Sequence, residues 1–124
     1  MLAEARRALD RVDPAAAAAA LTDGAVLVDL RPEAQRERDG VVPGAVIVAR
    51  NVLEWRCDPA SEHRDPAVSD PDRRLVLMCD AGYQSSLAAA TLQQLGLPLA
   101  TDLDGGFQAW RAAGLPVEPD AATG

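Results

Sequence analysis

The chain has 124 residues, 48% of them hydrophobic and 25% charged, which is typical of one globular domain that buries its own core. Its net charge is −7 and it contains no lysine, which argues against nucleic acid or an anionic membrane surface as a partner. It also has no apolar run long enough for a membrane span and no signal-peptide pattern at its start, so we expect a cytoplasmic protein.

The predicted elements begin with two helices. Residues 1–12 have apolar side chains at helical spacing, and Asp13-Pro14 supplies an N-cap and a first-turn proline for a second helix. This second helix runs through six alanines to Leu21, and Thr22-Asp23-Gly24 ends it.

Three apolar runs and a short fourth segment are predicted strands, and such runs are typical of strands buried on both faces of a parallel sheet. The strands are residues 25–30, 45–48, 75–78 and 100–103. Helices are predicted over residues 32–38, 86–95 and 107–113, with Asn51 as the cap of a short helix through Trp55 and an irregular loop over 57–74. Strands alternating with helices predict an α/β fold, with a mainly parallel central sheet and helices on both faces.

Three regions are expected along the chain. Residues 1–25 form an N-terminal helical segment packed on the main domain, which spans residues 26–118. Residues 119–124 form a flexible C-terminal tail. Phe107 and Trp110 lie three positions apart on the last helix and are expected in the core.

A reactive position is predicted at the end of the third strand. Cys79 lies there, before a loop that contains Gly82 and leads into a helix. In open α/β sheets, ligands bind at this edge. Such a loop turns backbone N–H groups inward, and the start of a helix favours the thiolate form of a cysteine. The residues therefore predict an anion cradle with a reactive thiol at its centre.

The second cysteine and the single histidine are given lesser roles. Cys57 is expected as an incidental loop residue, with a second thiol that resolves a persulfide or disulfide as the alternative. The two cysteines do not form a Cys-x-x-Cys pair and His63 is the only histidine, which argues against a metal site. A Cys79–His63 pair is disfavoured because His63 lies in a polar loop.

Three segments carry a resemblance to a known family. The first combines Val28-Asp-Leu-Arg31 with Gly40-Val-Val-Pro-Gly-Ala45. The second is the apolar strand that ends at Cys79, with its loop to Ser85, and the third is Leu-Asp-Gly-Gly-Phe-Gln-Ala-Trp followed by Ala-Gly-Leu-Pro-Val. In this order and spacing, over residues 26–118, they resemble the single-domain rhodaneses, a family of sulfurtransferases.

The resemblance implies a rhodanese-like fold and Cys79 as the catalytic nucleophile, which carries sulfane sulfur as a persulfide. It implies substrate contacts from Asp80, Ala81, Gly82, Tyr83, Gln84, Ser85 and Arg31, with the Ser85 and Ser86 hydroxyls as additional donors. For Arg31, an ion pair with Asp29 or Glu33 is the favoured alternative.

The same resemblance implies the reaction partners, and no cofactor is needed. They are a small sulfur donor (thiosulfate or a persulfide) and a thiol or a cyanide-like acceptor, with a sulfur-carrier protein as a further candidate.

The loop departs from the family pattern in its charges. Many active rhodaneses carry basic residues here, whereas this loop has Asp80 and no cation, which opposes a dianionic donor such as thiosulfate. Val41 stands where the family has a histidine. Tyr83 is expected either as a wall of the pocket or as a packing residue, and Arg50 and Arg56 either at the pocket mouth or in solvent.

Two rival function classes remain. Related cysteine-dependent phosphatases need an arginine six residues after the cysteine to clamp phosphate; Ser85 stands there, which disfavours phosphate-ester chemistry. A rhodanese-like binding or regulatory module with negligible turnover is favoured by the lack of loop cations and disfavoured by the retained cysteine. Sulfur transfer is therefore the predicted function, and the binding module is its alternative.

Overall fold

Parallel strands form the central sheet of the computed structural model, which describes residues 2–120. They are β1 (Val26–Asp29), β2 (Val46–Ile47), β3 (Leu75–Met78) and β4 (Thr101–Asp102). Their order across the sheet is β2-β1-β3-β4, and every neighbouring pair is parallel. The four predicted strands are confirmed; β3 has the predicted bounds, and the other three are shorter than predicted.

Helices connect and flank these strands. They are α1 (Leu2–Arg7), α2 (Pro14–Thr22), α3 (Glu33–Asp39), α4 (Leu53–Cys57), α5 (Gln84–Gln94) and α6 (Gly106–Ala112), with a 3-10 turn at Arg50–Val52. The predicted cap of α2 is confirmed, because the Asp13 carboxylate accepts a hydrogen bond from the Ala16 N–H at 2.8 Å. None of the helices within residues 2–120 is long and apolar enough to cross a membrane.

The sheet is buried on both faces, as the apolar runs predict. One face packs against buried side chains of α4 and α5, which include Leu53 and Leu92. The opposite face packs against α2 and α6 and includes Phe107 and Trp110, so their predicted core positions are confirmed. The expected α/β architecture, with helices on both faces of a parallel sheet, is therefore correct.

The structure corrects the ends of several elements. The predicted helix over residues 1–12 ends at Arg7, and Val12 forms a parallel bridge with Leu103 beside β4. Asn51 lies inside the 3-10 turn and does not cap α4. Two segments predicted as surface loop or tail include buried residues: Val68 is fully buried, and Asp120 forms an ion pair with Arg36 at 3.2 Å. Residues 121–124 of the predicted tail lie outside the described residues.

A buried ion pair holds the chain where it leaves β1. The Arg31 guanidinium donates to both carboxylate oxygens of Asp29, at 3.1 and 2.9 Å, and to the Gly40 carbonyl at 2.8 Å. It also stacks on the Phe107 ring, 3.8 Å from the centroid. Both charged side chains are fully buried. The structure thus shows the Asp29 pairing that the sequence favoured for Arg31, and a substrate contact by Arg31 stays a prediction.

Replacing Arg31 with Met is expected to lower the free energy of unfolding by about 3–5 kcal/mol, because the Asp29 carboxylate would be left buried without its cation. Urea denaturation measures this change. The control is Arg38→Gln, which breaks an ion pair with Asp39 whose guanidinium is exposed and which should change stability little. Equal losses from the two substitutions would contradict the structural role of Arg31.

Candidate active site

Cys79 follows the last residue of β3 at the carboxyl edge of the sheet and is almost fully buried. Its Sγ accepts a hydrogen bond from the Gly82 N–H at 3.1 Å and lies 3.4 Å from the Ser85 Oγ. Ser85 is the second residue of α5, so the sulfur lies against the start of this helix. The predicted position of the thiol, between a strand end and a helix start, is confirmed by this geometry.

Backbone contacts with the start of α6 set the shape of the loop. Gly82 has φ +86°, and a Cβ on it would lie 2.7 Å from the Gly105 nitrogen. The start of α6 also binds the loop, because the Phe107 N–H donates to the Cys79 carbonyl at 2.9 Å and the Gln108 N–H to the Asp80 carbonyl at 3.1 Å. The Gly-Gly-Phe segment of the third motif therefore supports the loop from behind.

A buried carboxylate lies beneath the loop. Asp102 Oδ2 accepts hydrogen bonds from the hydroxyls of Ser85 and Ser86, both at 2.8 Å. Because a carboxylate only accepts, each serine gives its single hydroxyl hydrogen to Asp102. The Cys79 S–H then donates to the Ser85 oxygen. A donation from either serine to a persulfide, as the resemblance implies, would need a hydroxyl to rotate and stays a prediction.

Two arginines from the N-terminal segment complete the site. Arg11 donates to both oxygens of Asp102, at 2.8 and 3.2 Å, and to the Gly82 carbonyl at 3.2 Å. Arg6 donates to the same carbonyl and to the Ser86 Oγ, both at 3.0 Å. The hydrogen bond to Asp102 is the main cause that raises the pKa of Arg11, and the nearby Cys79 adds a smaller electrostatic contribution.

The sequence did not predict three residues of the site: Asp102, Arg6 and Arg11. Position 102 could have been suspected, since β4 neighbours β3 and ends at the same edge of the sheet. The arginines gave no such signal, because their segment was predicted as a continuous helix. In the structure the chain straightens after α1, and this brings Arg11 beside β4.

The remaining loop residues differ in exposure. The Asp80 carboxylate accepts from the Gln108 amide at 2.8 Å, so it is held on α6. Ala81, Tyr83 and Gln84 are exposed, and the 64% exposure of Tyr83 contradicts the packing alternative, whereas its place in the pocket wall stays a prediction. Gln84 lines an open depression that also includes Arg50.

Arg56 and His63 form a cluster with Trp55. The Arg56 guanidinium donates to the His63 carbonyl at 3.0 Å. The His63 ring lies 4.3 Å from the Trp55 ring. Arg56 and His63 thus contact residues of α4 and of the loop that follows it.

Cys57 is a core residue at the end of α4 and does not lie in a loop as predicted. Burial raises the pKa of its thiol to about 12, and the negative charges of Asp65 and Glu54 contribute to the same shift. A thiol of this kind stays protonated at neutral pH, which supports the incidental role expected for it.

The fold and the cysteine loop together define a rhodanese-like domain. The family model for this domain matches residues 13–113, and the chain belongs to this family. Thiosulfate sulfurtransferase GlpE of Pseudomonas savastanoi pv. phaseolicola is 36% identical over 102 residues, which cover 82% of this chain and 87% of that protein. A sulfurtransferase of Allochromatium vinosum is 30% identical and covers 77% of this chain and 80% of its own length.

A solved structure shows the same architecture. A protein of unknown function from Rhodopseudomonas palustris, described as a possible tyrosine phosphatase, superposes with a TM-score of 0.86. It is 38% identical, and the match covers 94% of this chain and 90% of that one.

Gly82→Ala is expected to destabilise the protein more than Gly24→Ala. Both glycines have positive φ, which costs another residue about 1–2 kcal/mol. Only at Gly82 does the new methyl group also meet backbone, whereas nothing lies within 4 Å at Gly24. Urea unfolding measures both variants. Equal losses of stability would show that the contact between the loop and α6 is not tight.

The two thiols are expected to differ in reactivity. At pH 8, a thiol whose pKa is about 12 is ionised in roughly one molecule in ten thousand, so Cys57 should resist iodoacetamide in the folded protein. Mass spectrometry should find one modified cysteine, Cys79, in the native chain and two in denaturant. The Cys79→Ser variant should stay unmodified when folded. Labelling of Cys57 in the native chain would contradict its burial.

Proposed function

We propose that the protein is a sulfurtransferase that carries sulfane sulfur as a persulfide on Cys79. The observation that carries this proposal is the Gly82 N–H donating to Sγ inside a loop closed by α5 and α6. Backbone donors arranged around a sulfur atom stabilise negative charge on it. The sulfurtransferase relatives, which align with most of this chain, support the same reaction class.

The proposed reaction has two sulfur transfers. The Cys79 thiol loses its proton to solvent, and the thiolate attacks the sulfane sulfur of the donor. The donor's S–S bond breaks as the new one forms, and the donor leaves with the bonding electron pair, as sulfite when thiosulfate is used. The terminal sulfur of the persulfide then bonds to a thiol or cyanide acceptor, and Cys79 returns as a thiolate.

The loop residues have separate roles in this scheme. The backbone amides of residues 80–85 stabilise the terminal sulfur, and that of Gly82 already donates to Sγ. Gln84 borders the depression that also contains Arg50, and this depression offers a place for the rest of the donor. Asp80 disfavours a dianion, so a persulfide on a small thiol is a better donor than thiosulfate. A reducing, cytoplasmic setting would keep both free cysteines as thiols.

Phosphatase chemistry is the second candidate, because the similar Rhodopseudomonas palustris protein is described as a possible tyrosine phosphatase. Residues 80–85 contain no arginine to clamp a phosphate. Arg6 and Arg11 already donate to the Gly82 carbonyl and to Ser86 or Asp102, and they do not replace such a clamp. The geometry therefore favours sulfur transfer.

Intact-protein mass after incubation with thiosulfate, and separately with glutathione persulfide, tests the proposal. We expect a gain of one sulfur atom on the wild type, greater with the persulfide, and no gain on Cys79→Ser. Subsequent cyanide should remove the added sulfur and yield thiocyanate. If the folded, reduced protein gains no sulfur from either donor, the sulfurtransferase proposal fails, and the rhodanese-like binding module becomes the better hypothesis.

A further inference from the structure

The cationic groups that contact this cysteine loop come from outside it. Residues 80–85 carry a carboxylate and no basic side chain. The Gly82 carbonyl accepts hydrogen bonds from Arg6 and Arg11, which lie 76 and 71 residues before it in the chain. Both lie before residue 13, where the match to the family model begins. The N-terminal segment therefore supplies the loop with charges that its own sequence lacks.

The two guanidiniums constrain the direction of a peptide group. In a planar trans peptide, the carbonyl of one residue and the N–H of the next point in opposite directions. Arg6 and Arg11 both donate to the Gly82 carbonyl, at 3.0 and 3.2 Å. The N–H of Tyr83 then points away from the arginines. Hydrogen bonds from a cation are also stronger than those between neutral groups, so the peptide is firmly held.

Arg11 also fixes the carboxylate that positions Ser85. It binds both oxygens of Asp102, which is fully buried. When the Ser85 hydroxyl turns its hydrogen toward a charged sulfur, Asp102 keeps its bonds from Ser86 and from two Arg11 nitrogens. The carboxylate thus remains satisfied with Ser85 in either orientation, and the rotation leaves no buried oxygen unpaired.

We propose that Arg11, assisted by Arg6, is a positioning residue for sulfur transfer that aims the Tyr83 N–H and the Ser85 hydroxyl at the sulfur atoms on Cys79. It acts through the Gly82 carbonyl and Asp102 and does not touch the donor. This inference rests on the proposed sulfurtransferase activity for its catalytic consequence. Its effect on the Cys79 thiol is independent of any sulfur donor.

Arg11→Gln in the full-length protein tests the proposal, with Arg7→Gln as the matched control. Arg7 is exposed at the end of α1, four residues before Arg11, so the control removes the same charge from the same N-terminal segment but away from the loop. Two rates are measured well below the melting temperature of each variant. One is the alkylation of Cys79 by iodoacetamide at pH 7, and the other is sulfur loading from glutathione persulfide.

Arg11→Gln should lower both rates about tenfold, the scale of one lost charge-assisted hydrogen bond, and Arg7→Gln should change neither. The loss should appear in kcat with little change in KM, because Arg11 does not contact the donor. Arg11→Lys should recover part of the rate, because it restores the charge. Rates for Arg11→Gln equal to those of Arg7→Gln would overturn the proposal, as would a pure rise in KM.

A second variant covers the case in which Arg11→Gln does not fold, since it leaves Asp102 buried without its cation. Arg6→Gln removes one bond to the Gly82 carbonyl and keeps the Arg11–Asp102 pair. It should slow alkylation about threefold, and an unchanged rate would overturn the proposal. These experiments also distinguish failure of the positioning role from failure of the proposed sulfurtransferase activity. The wild type would then gain no sulfur, while alkylation would still separate the arginine variants from their control.

Discussion

The carboxyl edge of the sheet depends on one buried charge, the carboxylate of Asp102. A buried carboxylate is tolerated only when its oxygens are paired, and this one accepts from two hydroxyls and an arginine. The serines belong to α5, the arginine to the N-terminal segment, and Asp102 itself to β4. Satisfying a single charge therefore joins three separate parts of the chain directly beneath the Cys79 loop.

Close backbone packing supplies the second constraint on the same loop. Gly82 faces Gly105, and a Cβ on Gly106 would lie against the Cys79 carbonyl. Hydrogen bonds from the start of α6 satisfy the carbonyls of Cys79 and Asp80, while the Gly82 N–H donates to the sulfur. The hydrogen bonds and ion pair of Asp102 and the glycine contacts with α6 thus both favour a single conformation of the loop.

The sequence predicted what depends on local pattern and missed what depends on long-range placement. The apolar runs predicted the strands, and the strand–Cys79–loop–helix order predicted the site, because period and turn residues act over short distances. Arg11 was assigned to a helix since its neighbours have helical spacing, and only the bridge from Val12 to Leu103 brings it to the sheet. Cys57 was assigned to a loop because of the proline that follows, although tertiary packing buries it in α4.

Whether backbone amides of the loop hold the transferred sulfur can be measured by ¹H–¹⁵N NMR of the folded chain before and after sulfur loading. We expect the amide signals of Gly82 and Tyr83 to move further than any others, and Cys79→Ser to show no such change under the same treatment. Stoichiometric loading on Cys79, verified by mass, with both amide signals unmoved would contradict it.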